Sequence, residues 1–299
     1  MPSIRVVSWN IDARASGLEE RIAWLGTLGA DVVVLQEVPR SAQCLLEEAS
    51  GFAWGELAVA QSEPATPGGR PPPARRQGPA VLGSQRVMMR TAGQVPEAWF
   101  VQAGGRAGLT EEEVRRIGWR HKTIYVDVSV EGAPLRVAGF HARPGSSGLG
   151  WVKQLFHRVC ATWVAACQGP MLFGVDANSP NVDHPEPQQW RPFMAGEATL
   201  IGPSPSHHLV DALPRWLDDH PHERRQVLAQ RPDGPLAVTY RTPRSRAPKR
   251  YDHLFTTSDI TIDALTHRPP GVDGSDHGAI LADLTIPEPA RGRGGEVPR

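Results

Sequence analysis

The sequence is poor in cysteine, carries no surplus of charge and has no long apolar run. Only Cys44, Cys160 and Cys167 occur in 299 residues. An odd number without a Cys-x-x-Cys spacing argues against a disulfide framework or a cysteine zinc site. Cys160 and Cys167 stand one heptad apart in an apolar run and read as packing residues. Basic and acidic side chains both number 32, so the formal net charge is zero. Global charge therefore gives no argument for a nucleic-acid or anionic-membrane partner, and any such argument must be local. No window approaches the ~18 uninterrupted apolar residues of a membrane span. The opening "MPSIRVVSWN" lacks the features of a secretory signal, so a cytoplasmic location is the expectation.

Glycine (30) and proline (29) are plentiful, which implies many loops. "SEPATPGGRPPPARRQGP" (62–79) is too rich in proline, glycine and arginine for a regular element. No composition shift marks an internal boundary. One domain over 1–286, followed by a disordered tail over 287–299, is the expectation.

The remaining segments alternate in kind. "IRVVSWN" (4–10) reads as a strand. "GLEERIAWLGTLG" (17–29) has Leu18, Ile22, Leu25 and Leu28 at helical spacing. "ADVVVLQE" (30–37) is the continuous apolar run of a strand covered on both faces. "TIYVDVSV" and "LRVAGFHA" flank "EGAP" (131–134) as a hairpin. A long helix is expected over 149–167 and a buried strand over 169–178, with "AVTYR", "RYDHLF" and "GAILADLTI" as later strands. This mixture points to an α/β protein with mixed sheets.

The informative pattern is where polar residues fall. "RVVSWN" ends in Asn10, "VVVLQE" in Glu37, "RVAGFH" in His141, and "LFGVDAN" in Asp176 and Asn178. "RYDHLF" carries Asp252 near its start, and a glycine-bounded turn presents Asp276 and His277. Ligand sites in open α/β sheets gather where strands run out into loops. One polar strand end reads as solvation; the same placement on several strands does not. Glu37, Asp176, Asp276 and Asn10 are hard oxygen donors suited to Mg²⁺, Mn²⁺ or Ca²⁺ rather than zinc. Two histidines supply acid–base chemistry near neutral pH. The set fits phosphodiester hydrolysis.

These residues resemble the endonuclease/exonuclease/phosphatase (DNase I-like) superfamily, and the ordered match runs from residue 4 to about 286. "SWNID", "LQEV", "GPAVLGS", "GVDAN", "YDHLF" and "GSDHGAI" are similar to its successive motifs, although Val175 intervenes in "GVDAN". The resemblance implies a four-layer α/β/β/α sandwich of two packed mixed sheets flanked by helices. It implies metal binding by Glu37 with Asn10 and Asp276. Asp176 would activate water or hold a second metal, Asn178 would hold a phosphate oxygen, and Asp252 would orient His277. His141 is similar to the histidine of the DNase and toxin branches rather than the repair branch. Its partner carboxylate has no assignable position. The expected function is a Mg²⁺-dependent phosphodiesterase, a DNA endonuclease of low sequence specificity acting as a monomer. The alternative is a phosphoinositide phosphatase or sphingomyelinase-type phospholipase.

Local charge supports a polyanion. "RPPPARR" (70–76) and "RTPRSRAPKR" (241–250) are basic loops, and the second leads from Arg250 into Asp252, which places Arg250 as a candidate substrate contact. A solvated loop explains them equally well. His207, His208, His220 and His222 read as exposed loop histidines, Trp151 and Trp163 as core, and Asp211 as either a site neighbour or a helix-start carboxylate.

Overall fold

A computed structural model describes residues 1–12, 17–42, 45–46, 51–58, 77–117, 119–142, 150–179, 183–184, 186, 189–190 and 194–288. The chain begins β1 (Ser3–Asn10), α1 (Leu18–Thr27), β2 (Val32–Pro39), β3 (Trp54–Leu57), β4 (Gln77–Gly83) and β5 (Val87–Gly93). It continues α2 (Glu97–Arg106), α3 (Glu111–Ile117), β6 (Thr123–Val130), β7 (Ala133–His141), α4 (Gly150–Ala166) and β8 (Met171–Asp176). The last third holds α5 (Ala195–Ile201), β9 (Val210–Asp211), α6 (Ala212–Asp219), α7 (Pro221–Gln230), β10 (Tyr240–Arg241), β11 (Pro248–Lys249), β12 (Asp252–Thr256), β13 (Thr261–His267) and β14 (Ile280–Thr285).

The strands form two mixed six-stranded sheets, ordered β13-β14-β1-β2-β4-β3 and β5-β6-β7-β8-β12-β9. Side chains alternate between faces of a strand, and the core divides accordingly. Val6, Val32, Val34 and Val81 of the first sheet pack on Val126, Val128, Val137, Leu172 and Leu254 of the second. The opposite face of the first sheet (Val7, Trp9, Val33, Leu35) packs on Ile22 and Leu25 of α1. The opposite face of the second (Phe140, Phe173, Val175) packs on Phe100 of α2 and Phe156, Cys160 and Val164 of α4. The result is the expected α/β/β/α sandwich. "VVVLQEVP" is continuously apolar because β2 is covered on both sides.

Two glycines set how closely the sheets approach. Gly139 of β7 and Gly174 of β8 are register partners. A Cβ on Gly139 would lie 2.8 Å from Val34 Cγ1, and one on Gly174 would lie 2.6 Å from Ser8 Oγ. Either contact forces a side chain of the facing sheet to shift. Each glycine sits two residues before a site candidate, His141 and Asp176.

Three local expectations change. "AVTYR" contributes only the two-residue β10, which pairs with β11 as a separate hairpin. Trp151 is 46% exposed rather than core, because it stands on the outer face of α4, whereas Trp163 is buried. His207 is half-buried, its Nε2 on Leu200 O at 2.8 Å and its ring against Phe255. Cys44, the basic run 70–76 and the tail from 289 lie outside the described residues. Among the described residues, no helix is long and apolar enough to cross a membrane.

Candidate active site

Register brings the candidates together. In the second sheet β7, β8 and β12 are neighbours, and His141 pairs with Asp176, which pairs with Asp252. Three titratable side chains from distant segments thus form a row at one sheet end. In the first sheet Asn10 closes β1, and Glu37 lies two residues before the end of the adjacent β2. The pairing of β2 with β4 shifts between Leu35 and Val38, and Glu37 adopts φ 58. A bulge with a non-glycine residue in the left-handed region is strained backbone held by its surroundings, and it re-aims the Glu37 side chain.

The carboxylate and ring atoms of Glu37, His141 and Asp176 lie within 4.8 Å of one another, and so do those of Asp176, Asp252 and His277. Asp176, shared by both groups, is fully buried. Its Oδ2 accepts from Asn10 Nδ2 at 2.8 Å and Asn178 Nδ2 at 2.9 Å, and its Oδ1 from Asn178 N at 2.8 Å. Burial pushes its pKa up to about 7; the Asp252 and Glu37 carboxylates push the same way, against the His277 imidazolium and the Asn178 N–H. Two buried carboxylates converging at strand ends make a hard oxygen donor set, which fits a divalent cation.

The two histidines stand in opposite surroundings. His277 Nδ1 is 2.8 Å from Asp252 Oδ2. Burial lowers its pKa, but Asp252 and Asp176 more than offset this and raise it to about 10. His141 Nδ1 instead meets Lys122 Nζ at 3.0 Å. Burial, joined by Lys122, lowers its pKa to about 4 against the pull of Glu37. His141 Nε2 faces Glu37 Oε1 at 3.3 Å and Asp176 Oδ2 at 3.7 Å without an aligned hydrogen bond.

The turn that presents His277 is tied down from three sides. Trp9 Nε1 donates to His277 O, Ser275 Oγ donates to Asn10 O, and His277 N donates to Ser275 Oγ. Tyr240 of β10 forms a bridge with His277, and their rings lie 4.9 Å apart.

Three candidates are placed otherwise than expected. Arg250 is 1% exposed, with its guanidinium on Asp183 at 2.7 Å and Asp211 at 2.6 Å, so it cements the scaffold and does not reach substrate. Asp276 has a half-exposed side chain at the rim, 4.0 Å from His277 Nε2, outside both clusters of convergent donors. Both N–H groups of the Asn178 amide are engaged, on Ala142 O and Asp176, so Asn178 positions Asp176 instead of offering a donor to phosphate. Of its two readings Asp211 follows the helix-start one: it caps α6 through Leu213 N and also holds Arg250 in the scaffold.

Sequence reasoning missed Lys122, Asp183 and the buried Lys153–Glu197 pair, whose lysine also donates to Asn178 O. Lys122 was within reach. The β6–β7 register pairs Thr123 with Phe140, so counting outward from the "EGAP" turn sets Lys122 opposite His141.

The architecture and the strand-end placement of this site define the DNase I-like, endonuclease/exonuclease/phosphatase fold. Solved structures with this fold include TDP2 from D. rerio complexed with single-strand DNA product, 15% identical, TM-score 0.62, over 96% of this chain and 100% of that one. An endonuclease/exonuclease/phosphatase from Beutenbergia cavernae is 21% identical, TM-score 0.58, over 96% of this chain and 72% of that one. The human Nocturnin catalytic domain with bound sulfate is 16% identical, TM-score 0.58, over 96% and 95%. No protein-family model and no curated protein matches the sequence.

Proposed function

We propose that this chain is a divalent-metal-dependent phosphodiesterase acting on DNA with little sequence preference. The observation that carries the reading is the convergence on Asp176 of Asn10, Glu37 and His277 from the first sheet and its β13–β14 turn with His141 and Asp252 from the second. Glu37, with Asn10 Oδ1, would hold Mg²⁺ or Mn²⁺. The bound ion would supply charge neutralisation on the phosphate as negative charge develops.

The protein's own groups carry the rest. Asp176, its pKa raised toward neutrality, accepts the proton of the attacking water as the new P–O bond forms. The two asparagines hold this carboxylate in one orientation. His277, charged and fixed through Nδ1 by Asp252, turns Nε2–H toward the site and donates its proton to the departing ester oxygen. His141 Nε2 lies against Glu37 Oε1 and Asp176 Oδ2.

Support for a polyanionic substrate lies beside the site. Arg241, Arg244 and Arg246 are exposed on the β10–β11 hairpin, which is joined to His277 through Tyr240. Arg241, Arg246, Asp12, Ser275 and Asp276 line a cavity of about 350 Å³. Cations there suit phosphate contacts that position a strand without reading bases. The DNA-bound TDP2 neighbour points the same way.

The test is incubation of purified protein with plasmid and linear DNA, with Mg²⁺ and with EDTA, beside RNA and a phosphoinositide and sphingomyelin panel. Metal-dependent DNA cleavage is expected. Intact DNA with release of phosphate or phosphocholine from lipid would replace this substrate with the phospholipid one.

A further inference from the structure

Lys122 is buried at the last residue of a short 3₁₀ turn, where β6 begins. The turn is anchored: Thr123 Oγ1 donates to Arg120 O and accepts from Val95 N, while Trp119 packs on Phe100. Lys122 Nζ donates to Gln77 O of β4 at 3.1 Å and lies 3.0 Å from His141 Nδ1. It therefore spans the two sheets and ends on the one histidine nitrogen that faces away from the carboxylates.

The sign of the partner decides where the proton sits. A carboxylate accepts and would require Nδ1–H. An ammonium has donors and no acceptor, so it requires a lone pair on Nδ1. A neutral imidazole then carries its proton on Nε2, the nitrogen turned toward Glu37 Oε1 and Asp176 Oδ2. A nitrogen bearing a proton cannot ligate a metal. It can donate to an oxygen.

We propose that Lys122 is a positioning residue that fixes His141 as the Nε2–H tautomer, so that His141 serves as a hydrogen-bond donor to a substrate oxygen and is kept out of the metal's coordination sphere. Without Lys122 the imidazole is free to expose an Nε2 lone pair toward Glu37 and Asp176. A histidine with two carboxylates is a set that suits Zn²⁺. Lys122 thereby keeps the ligand set all-oxygen and biased toward harder ions. The substrate-donor part of this assignment rests on the phosphodiesterase reading; the tautomer does not.

The experiment is nitrogen-15 NMR of metal-free protein labelled at histidine, with the His141 signals assigned by their loss in His141→Gln. Wild type and Lys122→Arg, which also only donates, are expected to show an unprotonated Nδ1 and a protonated Nε2. Lys122→Met is expected to lose that signature. In steady-state cleavage Lys122→Met should lower kcat by about ten-fold or more with little change in KM, as for loss of a transition-state donor, and Lys122→Arg should recover most of it. Wild-type signals showing Nδ1–H would overturn the proposal whether or not any variant folds. So would a Lys122→Met protein with the wild-type tautomer and a raised KM, since Lys122 would then bind substrate directly. Absence of any cleavage alongside the expected NMR pattern would count against the phosphodiesterase reading and leave the tautomer assignment standing.

Discussion

The His141 and His277 pockets contain the same side chain at comparable depth and treat it in opposite ways. Each imidazole is fixed through Nδ1, one by the ammonium of Lys122 and the other by the carboxylate of Asp252. Desolvation lowers both pKa values. The partner's charge then decides the outcome, about 4 for His141 and about 10 for His277. At neutral pH the site accordingly has one neutral histidine and one imidazolium, each grouped with Asp176. Identity and burial alone do not assign an acid–base role; the atom behind the ring does.

The comparison breaks most completely at His277 itself. His277→Ala is expected to lower kcat by about 10²-fold or more, the usual scale of a general acid–base group, measured by cleavage of a labelled DNA duplex. Asp252→Asn makes the His277 pocket resemble the His141 pocket by withdrawing its negative charge. Since Asp252 raises the His277 pKa, its removal lowers it, and the imidazolium is lost at lower pH. The alkaline limb of the kcat profile should move to lower pH, with kcat down by roughly 10²-fold. Glu37→Gln leaves both rings in place and weakens the ligand set. Mn²⁺ affinity followed by titration calorimetry should fall by about 100-fold or more, beyond the ~10–100-fold that loss of an outer-shell partner costs.

His157 supplies a third case. It is fully buried, its Nε2 on Ala177 O at 3.1 Å, and burial with the nearby Lys153 lowers its pKa to about 3. The folded state thus holds it neutral while the unfolded chain protonates near pH 6.5. Its stability contribution is complete above that value and is lost as pH falls toward about 3. The slope approaches about 1.4 kcal/mol per pH unit. Urea unfolding of wild type and His157→Gln at neutral and mildly acidic pH should show a shallower acid loss in the variant. The smallest effect is expected outside both pockets. Arg241→Ala and Arg246→Ala should raise KM a few-fold and reduce the salt slope of DNA binding by about one each, with the histidine signals unchanged.

Much of the sandwich was legible because its strands are apolar runs bounded by glycine and proline, and the motif-bearing strand ends were legible because a polar residue closing such a run is conspicuous. Arg250 shows the limit. Sequence places it beside Asp252, but the buried carboxylates of Asp183 and Asp211 that capture it come from remote segments. Asn178 was misassigned for a similar reason: its chain neighbour Asp176 and the Ala142 carbonyl, 36 residues away, occupy its amide. Lys122 differs from both. The hairpin count was enough to find it, yet a lone lysine before a strand reads as surface.

The glycine pair Gly139 and Gly174 acts as a gauge block for the reaction centre. Asn10, Glu37 and His277 belong to one slab and His141, Asp176 and Asp252 to the other, so the gap between slabs sets the span across which they must cooperate. A methyl group at either glycine would overlap Val34 or Ser8 and widen that gap. Because the overlap falls two residues upstream of His141 and Asp176, it would displace those two side chains relative to Asn10 and Glu37. An alanine at either position is therefore a route to a folded, inert protein whose every catalytic side chain is present.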